Sequence, residues 1–224
     1  MESSYTIARA ARPPAPDSGW GSADWQAVAP AVVAHFHPRS SSHRPRTEAK
    51  VQHSDEGIHL HFRVMDRYVR VANVGFQAMV YKDSCVEFFV RPRGTGGYLN
   101  VEMNAGGSLL VSFIENWTRT PDGFQKFRRL EPAWNALIPR FHSLPARIEP
   151  EIAQPVVWTV QYTIRWSLFV DVTGRGRPMA GEGWSGNFCK CGDDTSHPHW
   201  AAWSPIGEAL NFHAPECFGR LVFG

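Results

Sequence analysis

Nowhere in the 224-residue sequence do apolar residues run on for the roughly 18 positions that a membrane-spanning helix requires. The 10 residues after Met1, Glu-Ser-Ser-Tyr-Thr-Ile-Ala-Arg-Ala-Ala, hold no apolar stretch of signal-peptide length either. No membrane partner is expected. The location expected is cytoplasmic if the chain is complete, and secreted or periplasmic if a leader has been removed. Net charge is missing too, because 23 Lys plus Arg and 21 Asp plus Glu leave only +2, with the basic residues scattered. That balance excludes a broad attraction to nucleic acid or to an anionic membrane.

Cysteine is scarce. Cys85, Cys189, Cys191 and Cys217 allow three pairings, but a 25.2 kDa chain buries enough apolar surface to fold without staples, so the four are read as free thiols. A Gly-x-Ser-x-Gly elbow is absent, which argues against acyl transfer. No sustained helical period is visible, and no loop is dense enough in Asp to mark a calcium site.

What the chain does have is aromatic side chains, 9 Trp, 14 Phe and 5 Tyr, available as core or as flat ligand platforms. It also has alternation. Ile58, Leu60, Phe62 and Val64 alternate with His59, His61 and Arg63, predicting a strand with one buried and one wet face. Trp158, Val160, Tyr162, Ile164 and Trp166 repeat the pattern, and further strands are predicted at 85–91, 98–104, 109–114, 184–191, 200–203 and 218–223. Gly106-Gly107 joins two of these as a hairpin. The segments 117–141 and 171–183 read as loops, the former with room for one short helix. The fold class is all-β, a β-sandwich of two mainly antiparallel sheets with about eight or more strands. Residues 1–24 are expected to be an extended arm, Pro-rich over 11–19 and pinned by Trp20 and Trp25, ahead of one domain over 25–224.

The stretch 81–92, Tyr-Lys-Asp-Ser-Cys-Val-Glu-Phe-Phe-Val-Arg-Pro, draws attention to Glu87, a carboxylate on a strand between Val86 and Phe88. Such a group must reach solvent in a concave sheet face or find a partner inside. On the strand 98–104, Asn100, Glu102 and Asn104 share one face, each able to make several hydrogen bonds. Glu87, Asn100 and Glu102 therefore suit a floor for sugar hydroxyls, with an aromatic ring above to cover the apolar C–H face. The same carboxylates, or Asp83 with Glu87, would serve a glycosidase if they flanked one bond. Cys189-x-Cys191 followed by His197-x-His199 carries zinc-type ligands, but the tight spacing favours no metal.

The blocks Lys82-Asp83-Ser84-Cys85-Val86-Glu87-Phe88-Phe89, Tyr98-Leu99-Asn100-Val101-Glu102-Met103-Asn104 and Asn187-Phe188-Cys189-Lys190-Cys191-Gly192-Asp193, with the ending Phe218-Gly219-Arg220-Leu221, together resemble the family 9 carbohydrate-binding modules. More closely, they resemble the stand-alone family 9-like proteins with a DOMON-like sandwich, from about Trp25 to the C-terminus. The resemblance implies non-catalytic binding of a mono- or oligosaccharide, held between two aromatic rings over a glutamate and asparagine, as an accessory to polysaccharide degradation. It carries the glutamate onto Glu87, the polar strand positions onto Asn100 and Glu102, and the two rings onto Tyr81 and Phe212. Trp203 is a reserve platform. Members of the family use tryptophan at both rings, so Tyr81 and Phe212 are departures that imply weaker binding or a different ligand. No cofactor is expected, although some members bind structural calcium. Two alternatives stand beside this reading. One is a haem-binding redox sandwich using Met65, Met79, Met103 or histidines, and the other a glycan hydrolase using Glu87.

Overall fold

The computed structural model describes residues 3–224, and its first regular element begins almost at once. β1 (Ser4–Arg9), β2 (Ala31–Val33) and β3 (His35–Phe36) precede the hairpin of β4 (Arg46–His53) and β5 (Gly57–Asp66), and the short β6 (Val69–Val71) follows. β7 (Cys85–Arg91), β8 (Tyr98–Asn104), β9 (Leu109–Thr120) and β10 (Gly123–Arg129) make an antiparallel meander. Next come β11 (Arg140–His142), β12 (Ile148–Ile152), β13 (Val156–Arg165) and the helix α1 (Trp166–Thr173). β14 (Gly183–Cys191), β15 (Trp200–Ala202) and β16 (Gly219–Phe223) complete the chain.

Two sheets result. One runs β10-β9-β8-β7-β14-β16-β1 and the other β1-β4-β5-β13-β11, while β6 and β12 pair apart from both. β1 belongs to each sheet in turn, running parallel to β16 through Ser4 to Ile7 and parallel to β4 through Ala8 and Arg9. Every other strand-to-strand pairing among the described residues is antiparallel. This is the all-β sandwich that the alternation predicts. None of its helices is long and apolar enough to cross a membrane.

The core lies between the sheets because each strand turns alternate residues inward. Val86, Phe88, Val90, Leu99, Val101, Met103 and Phe188 from the first sheet meet Leu60, Phe62, Val64, Trp158, Val160 and Ile164 from the second, all fully buried. Phe62 and Phe188 touch across the gap at 6.2 Å between ring centres, edge to face. Burial of each large side chain is worth roughly 1.5–3 kcal/mol, so this layer supplies most of the stability.

Several expectations need correction. The start of the supposed arm is strand β1, with Ile7 fully buried, so these residues are part of the sandwich. The face of β5 expected to be wet is covered, because the segment after β1 folds back over it and packs Trp20 and Trp25 edge-on against His61 at 5.2 and 5.3 Å. Trp166 opens α1 instead of ending a strand. Trp166, Leu168, Phe169 and Val172 bury one side of the helix, which closes at Gly174 in the left-handed conformation (φ 69°) with its N–H on the Val170 carbonyl. A two-turn helix is too short to show a period in sequence. The segment 117–141 differs in part: it holds the outer end of β9 and all of β10, turned at Pro121-Asp122-Gly123, and the expected short helix is a 3-10 helix at Pro132–Leu137.

Candidate functional site

The outer face of the first sheet carries the residues that alternation turns away from the core. Cys85, Glu87 and Phe89 come from β7, Tyr98, Asn100 and Glu102 from β8, and Leu110, Ser112 and Ile114 from β9. Register aligns them in rows across the strands. Cys189, Glu87, Glu102 and Leu110 lie directly opposite one another in turn, as do Phe89, Asn100 and Ser112. The chain from β15 to β16 folds over one end of this face, where Phe212 and Phe218 join Phe89, Tyr98 and Cys189 in a second, smaller apolar cluster. The rest of the face stays open as a cavity of about 630 Å³.

The floor of this cavity is polar and short of partners. Asn100 Nδ2 donates to Glu102 Oε1 at 2.8 Å, which leaves Asn100 Oδ1 and Glu102 Oε2 buried with no partner in the protein. Glu87 Oε1 accepts from the Cys191 thiol at 3.1 Å. Two carboxylates so placed cannot both ionise freely. Burial, then the Glu102 charge, pushes Glu87 well up, while burial pushes Glu102 up to about 7 against the pull of its Asn100 hydrogen bond. A carboxyl that keeps its proton here makes the floor a donor as well as an acceptor.

The walls are aromatic and basic. Tyr81 and Trp200 stand on one side, with the Trp200 indole N–H fixed to Asp193 Oδ1 at 2.7 Å. The β9–β10 hairpin extends past the sheet on the other side and supplies Phe124, Phe127, Arg119 and Arg129. The Arg119 guanidinium lies 4.3 Å over the Phe124 ring. His213 closes the cavity from the returning loop, bonded through Nδ1 to the Tyr98 hydroxyl at 2.9 Å. Burial, then Arg119, pushes the His213 imidazole down to about 3, so it is neutral here.

Of the residues expected at a site, Tyr81, Glu87, Asn100, Glu102 and Phe212 line this one cavity. Phe212 is 9% exposed and packs mainly into the smaller apolar cluster. Trp203 lies elsewhere. Its ring sits edge-on to Tyr5 and Phe188 at 6.4 and 5.4 Å, against the main core. A Cβ on Gly219 would come within 2.5 Å of that ring, so the Phe218-Gly219 ending holds its glycine for Trp203.

Asp83 is not a partner of Glu87. Its carboxylate accepts from the Ala72 and Asn73 amides, the Asn73 and Asn104 side-chain amides and the Arg70 guanidinium, all within 3.4 Å. The Cys/His motif separates as well, because Cys191 faces the cavity while His199 Nε2 receives Lys190 Nζ at 2.7 Å inside the sandwich. Met103 is in the core and Met79 is exposed, so the structure does not bring these two together. Sequence reasoning missed Ser112, Arg119, Phe124, Phe127, Arg129, Asp193 and Trp200. Only the Ser112 position on β9, level with Asn100, carried a signal, and it needed the register to be read.

Comparisons with known proteins bear on the whole chain. The model of the family described as carbohydrate-binding family 9 matches residues 23–223. A protein from Bacteroides uniformis, provisionally described as carbohydrate-binding, aligns with a TM-score of 0.84 and 27% identity over 100% of both chains. A family 9 module from Caldicellulosiruptor kristjanssonii, solved with glucose, aligns with a TM-score of 0.65 and 12% identity, covering 99% of this chain and 96% of that one. Its complex with cellotriose gives 0.64 and 13%, covering 99% and 93%. No match is found among curated proteins. With the family model covering almost every residue from the segment over β5 to the last strand, the chain belongs to carbohydrate-binding family 9.

Proposed function

We infer that the protein binds a sugar without chemical change in the cavity over β7, β8 and β9. The observation that carries this is the floor. Asn100 Oδ1 and Glu102 Oε2 are buried acceptors with no protein partner, beneath a cavity of about 630 Å³ bounded by Tyr81, Trp200, Phe124 and Phe127. An unmet buried acceptor costs about 1–3 kcal/mol, and a ligand rich in hydroxyl donors offsets that cost. The cavity falls within the roughly 300–1,000 Å³ of small-molecule sites, and its mixed lining suits a pyranose, polar at its rim and apolar on its C–H face. Membership of the family and the sugar-bound C. kristjanssonii structures support the same ligand class.

Hydrolysis is the weaker reading of these groups. Glu87 and Glu102 are neighbours on one floor and address the same side of a ligand, whereas glycosidic cleavage needs carboxyls that flank the bond.

The test is calorimetric titration of chelator-treated protein with glucose, cello-oligosaccharides and a panel of other monosaccharides. Saturable heat is expected, with Asn100→Ala and Glu102→Ala each weakening binding at least tenfold and Met179→Ala, at a surface position, leaving it unchanged. A folded protein that gives no heat with any sugar overturns the proposal, as does binding undiminished in both floor variants.

A further inference from the structure

Beneath one end of the cavity two thiols, which the sugar reading leaves without a role, stand beside Glu87 of the floor. Cys85 and Cys191 are directly opposite each other on β7 and β14, and Glu87 is two residues along β7 on the same face. The two sulfurs and a Glu87 carboxylate oxygen all lie within 4.8 Å of one another. Cys191 Sγ and Glu87 Oε1 are 3.1 Å apart. All three residues are buried, and the fourth side chain of the neighbourhood, Glu102 across from Glu87, ends in the unpartnered Oε2.

We propose that Cys85, Cys191 and Glu87 form a binding site for one thiophilic divalent cation of the zinc class. Tetrahedral zinc with bonds of about 2.3 Å to sulfur and 2.0–2.2 Å to oxygen sets its ligand atoms roughly 3.5–3.8 Å apart. One pair is at 3.1 Å and none exceeds 4.8 Å, so side-chain rotations that move the ligand atoms by about an ångström close the site. Adjacent strands hold the ligands rigidly, since the register of β7 against β14 continues without a slip from Ser185 to Cys191. Two sulfurs and one carboxylate select zinc or a similar soft ion over calcium or magnesium, which prefer all-oxygen shells. Loading exchanges the protons of the two thiols and of the Glu87 carboxyl for the cation, and the protons leave to water in the cavity.

Cys191 and Glu87 line the cavity and Cys85 lies under them, so the fourth coordination position opens upward. Three protein ligands and one open position are the arrangement of a site that accepts an exchangeable ligand, with Glu102 beside it. The inference goes beyond sugar binding and does not rest on it. A cation could occupy this site whether or not the cavity above takes a sugar.

The test uses the full chain, reduced and freed of metal by a chelator, titrated with cobalt(II) and no sugar present. A sulfur-to-cobalt charge-transfer band should grow to saturation at one cobalt per chain and vanish on addition of zinc. Cys85→Ser and Cys191→Ser should each abolish the band, Glu87→Gln should weaken cobalt binding at least tenfold, and Cys217→Ser should leave it intact. Zinc should raise the melting temperature of the wild type and not that of Cys191→Ser. Should Cys85→Ser fail to fold by circular dichroism, Cys191→Ala and Glu87→Gln carry the test. A folded wild type without the band overturns the proposal, as does a band that survives in the Cys191 variants or is lost with Cys217→Ser. The readout is sulfur ligation, so a failure here leaves the sugar calorimetry untouched, and a failure there leaves this result standing.

Discussion

Replacing Lys190 with methionine should cost about 3–5 kcal/mol of folding free energy, although the substitution puts a more apolar residue into an apolar place. Lys190 projects from β14 into the space between the sheets and is 0% exposed. Its ammonium donates to the Cys191 carbonyl at 2.9 Å and to His199 Nε2 at 2.7 Å, and it lies 3.7 Å from Asp66 Oδ2. Burial alone would push the Asp66 carboxyl up. The Lys190 charge, helped by hydrogen bonds from His43 and Trp158, outweighs burial and holds it at about 2 instead of 3.8. That depression is worth roughly 2 kcal/mol to the folded state at neutral pH. Without the cation the burial penalty on Asp66 is opposed only by the weaker His43, His199 and Trp158 contributions, which brings the loss to the 3–5 kcal/mol typical of a broken buried pair.

The sign with pH follows. In the wild type the Asp66 contribution is present above 3.8 and is lost as the pH falls toward 2. In Lys190→Met the carboxyl rises, so the penalty grows as the pH rises. Asp66→Asn keeps an acceptor for Trp158 Nε1 and should restore much of the stability in the Lys190→Met background, while destabilising the wild type by leaving Lys190 unpaired. Urea unfolding followed by tryptophan fluorescence at pH 7, run as a double-mutant cycle, measures both effects. A Lys190→Met protein within about 0.5 kcal/mol of wild type, or strict additivity of the two changes, would refute the reasoning.

Trp200→Ala and Tyr81→Ala should each weaken sugar binding three- to tenfold by calorimetry, the worth of one stacked ring at about 0.5–1.5 kcal/mol. Gly219→Ala should destabilise by about 1–3 kcal/mol in urea unfolding, because its Cβ meets the Trp203 ring and the Ser3 carbonyl, and Trp203→Ala in the same chain should recover part of the Gly219→Ala penalty. Burial depresses His59 and His61 to about 4 and His199 and His213 to about 3, against 6.5 when unfolded. Each therefore withdraws stability as the pH falls below 6.5, on the order of 2 kcal/mol at pH 5, while the raised carboxyls of Glu87 and Glu102 return some of it. With His53 lowered as well and Asp193 raised as well, the histidines still outweigh the carboxyls, leaving a net fall on the order of a few kcal/mol between pH 6.5 and 5 in the same assay, and a flat profile would contradict it.

The sandwich was legible because period-two alternation survives in β5, β7, β8, β13 and β14 without knowledge of their neighbours. The same alternation put Glu87 on one face of β7 and Asn100 with Glu102 on one face of β8. It did not show that Glu87 stands opposite Glu102, since register depends on turns and on the burial of both strands together. The hairpin wall was hidden for a different reason. The end of β9 and most of β10 are exposed on both sides, so their residues carry no alternation, and Arg119, Phe124 and Arg129 reach the cavity only because the hairpin outruns the sheet. His61 was misleading in the opposite sense. It reads as an outward strand residue and is buried by a segment far away in sequence, the chain that carries Trp20 and Trp25.

Asp83 and Glu87, four residues apart, separate structure from function more clearly than their sequence context does. Both are buried, Asp83 two residues before β7 and Glu87 within it. Asp83 has five donors around its two oxygens, and its role ends there, tying the chain after β6 to β8. Glu87 faces a second carboxylate across the ladder and finds only a thiol hydrogen bond, while Glu102 keeps one oxygen bare. A face selected only for stability would carry valine or threonine at those positions and lose nothing. Two adjacent carboxylates under an open cavity raise the free energy of the unliganded fold, and that excess is returned only when something supplies donors or positive charge. A sugar supplies the donors to Asn100 and Glu102, and a cation between Cys85, Cys191 and Glu87 supplies the charge. The two occupants meet different deficits of one floor, so each can be measured without the other.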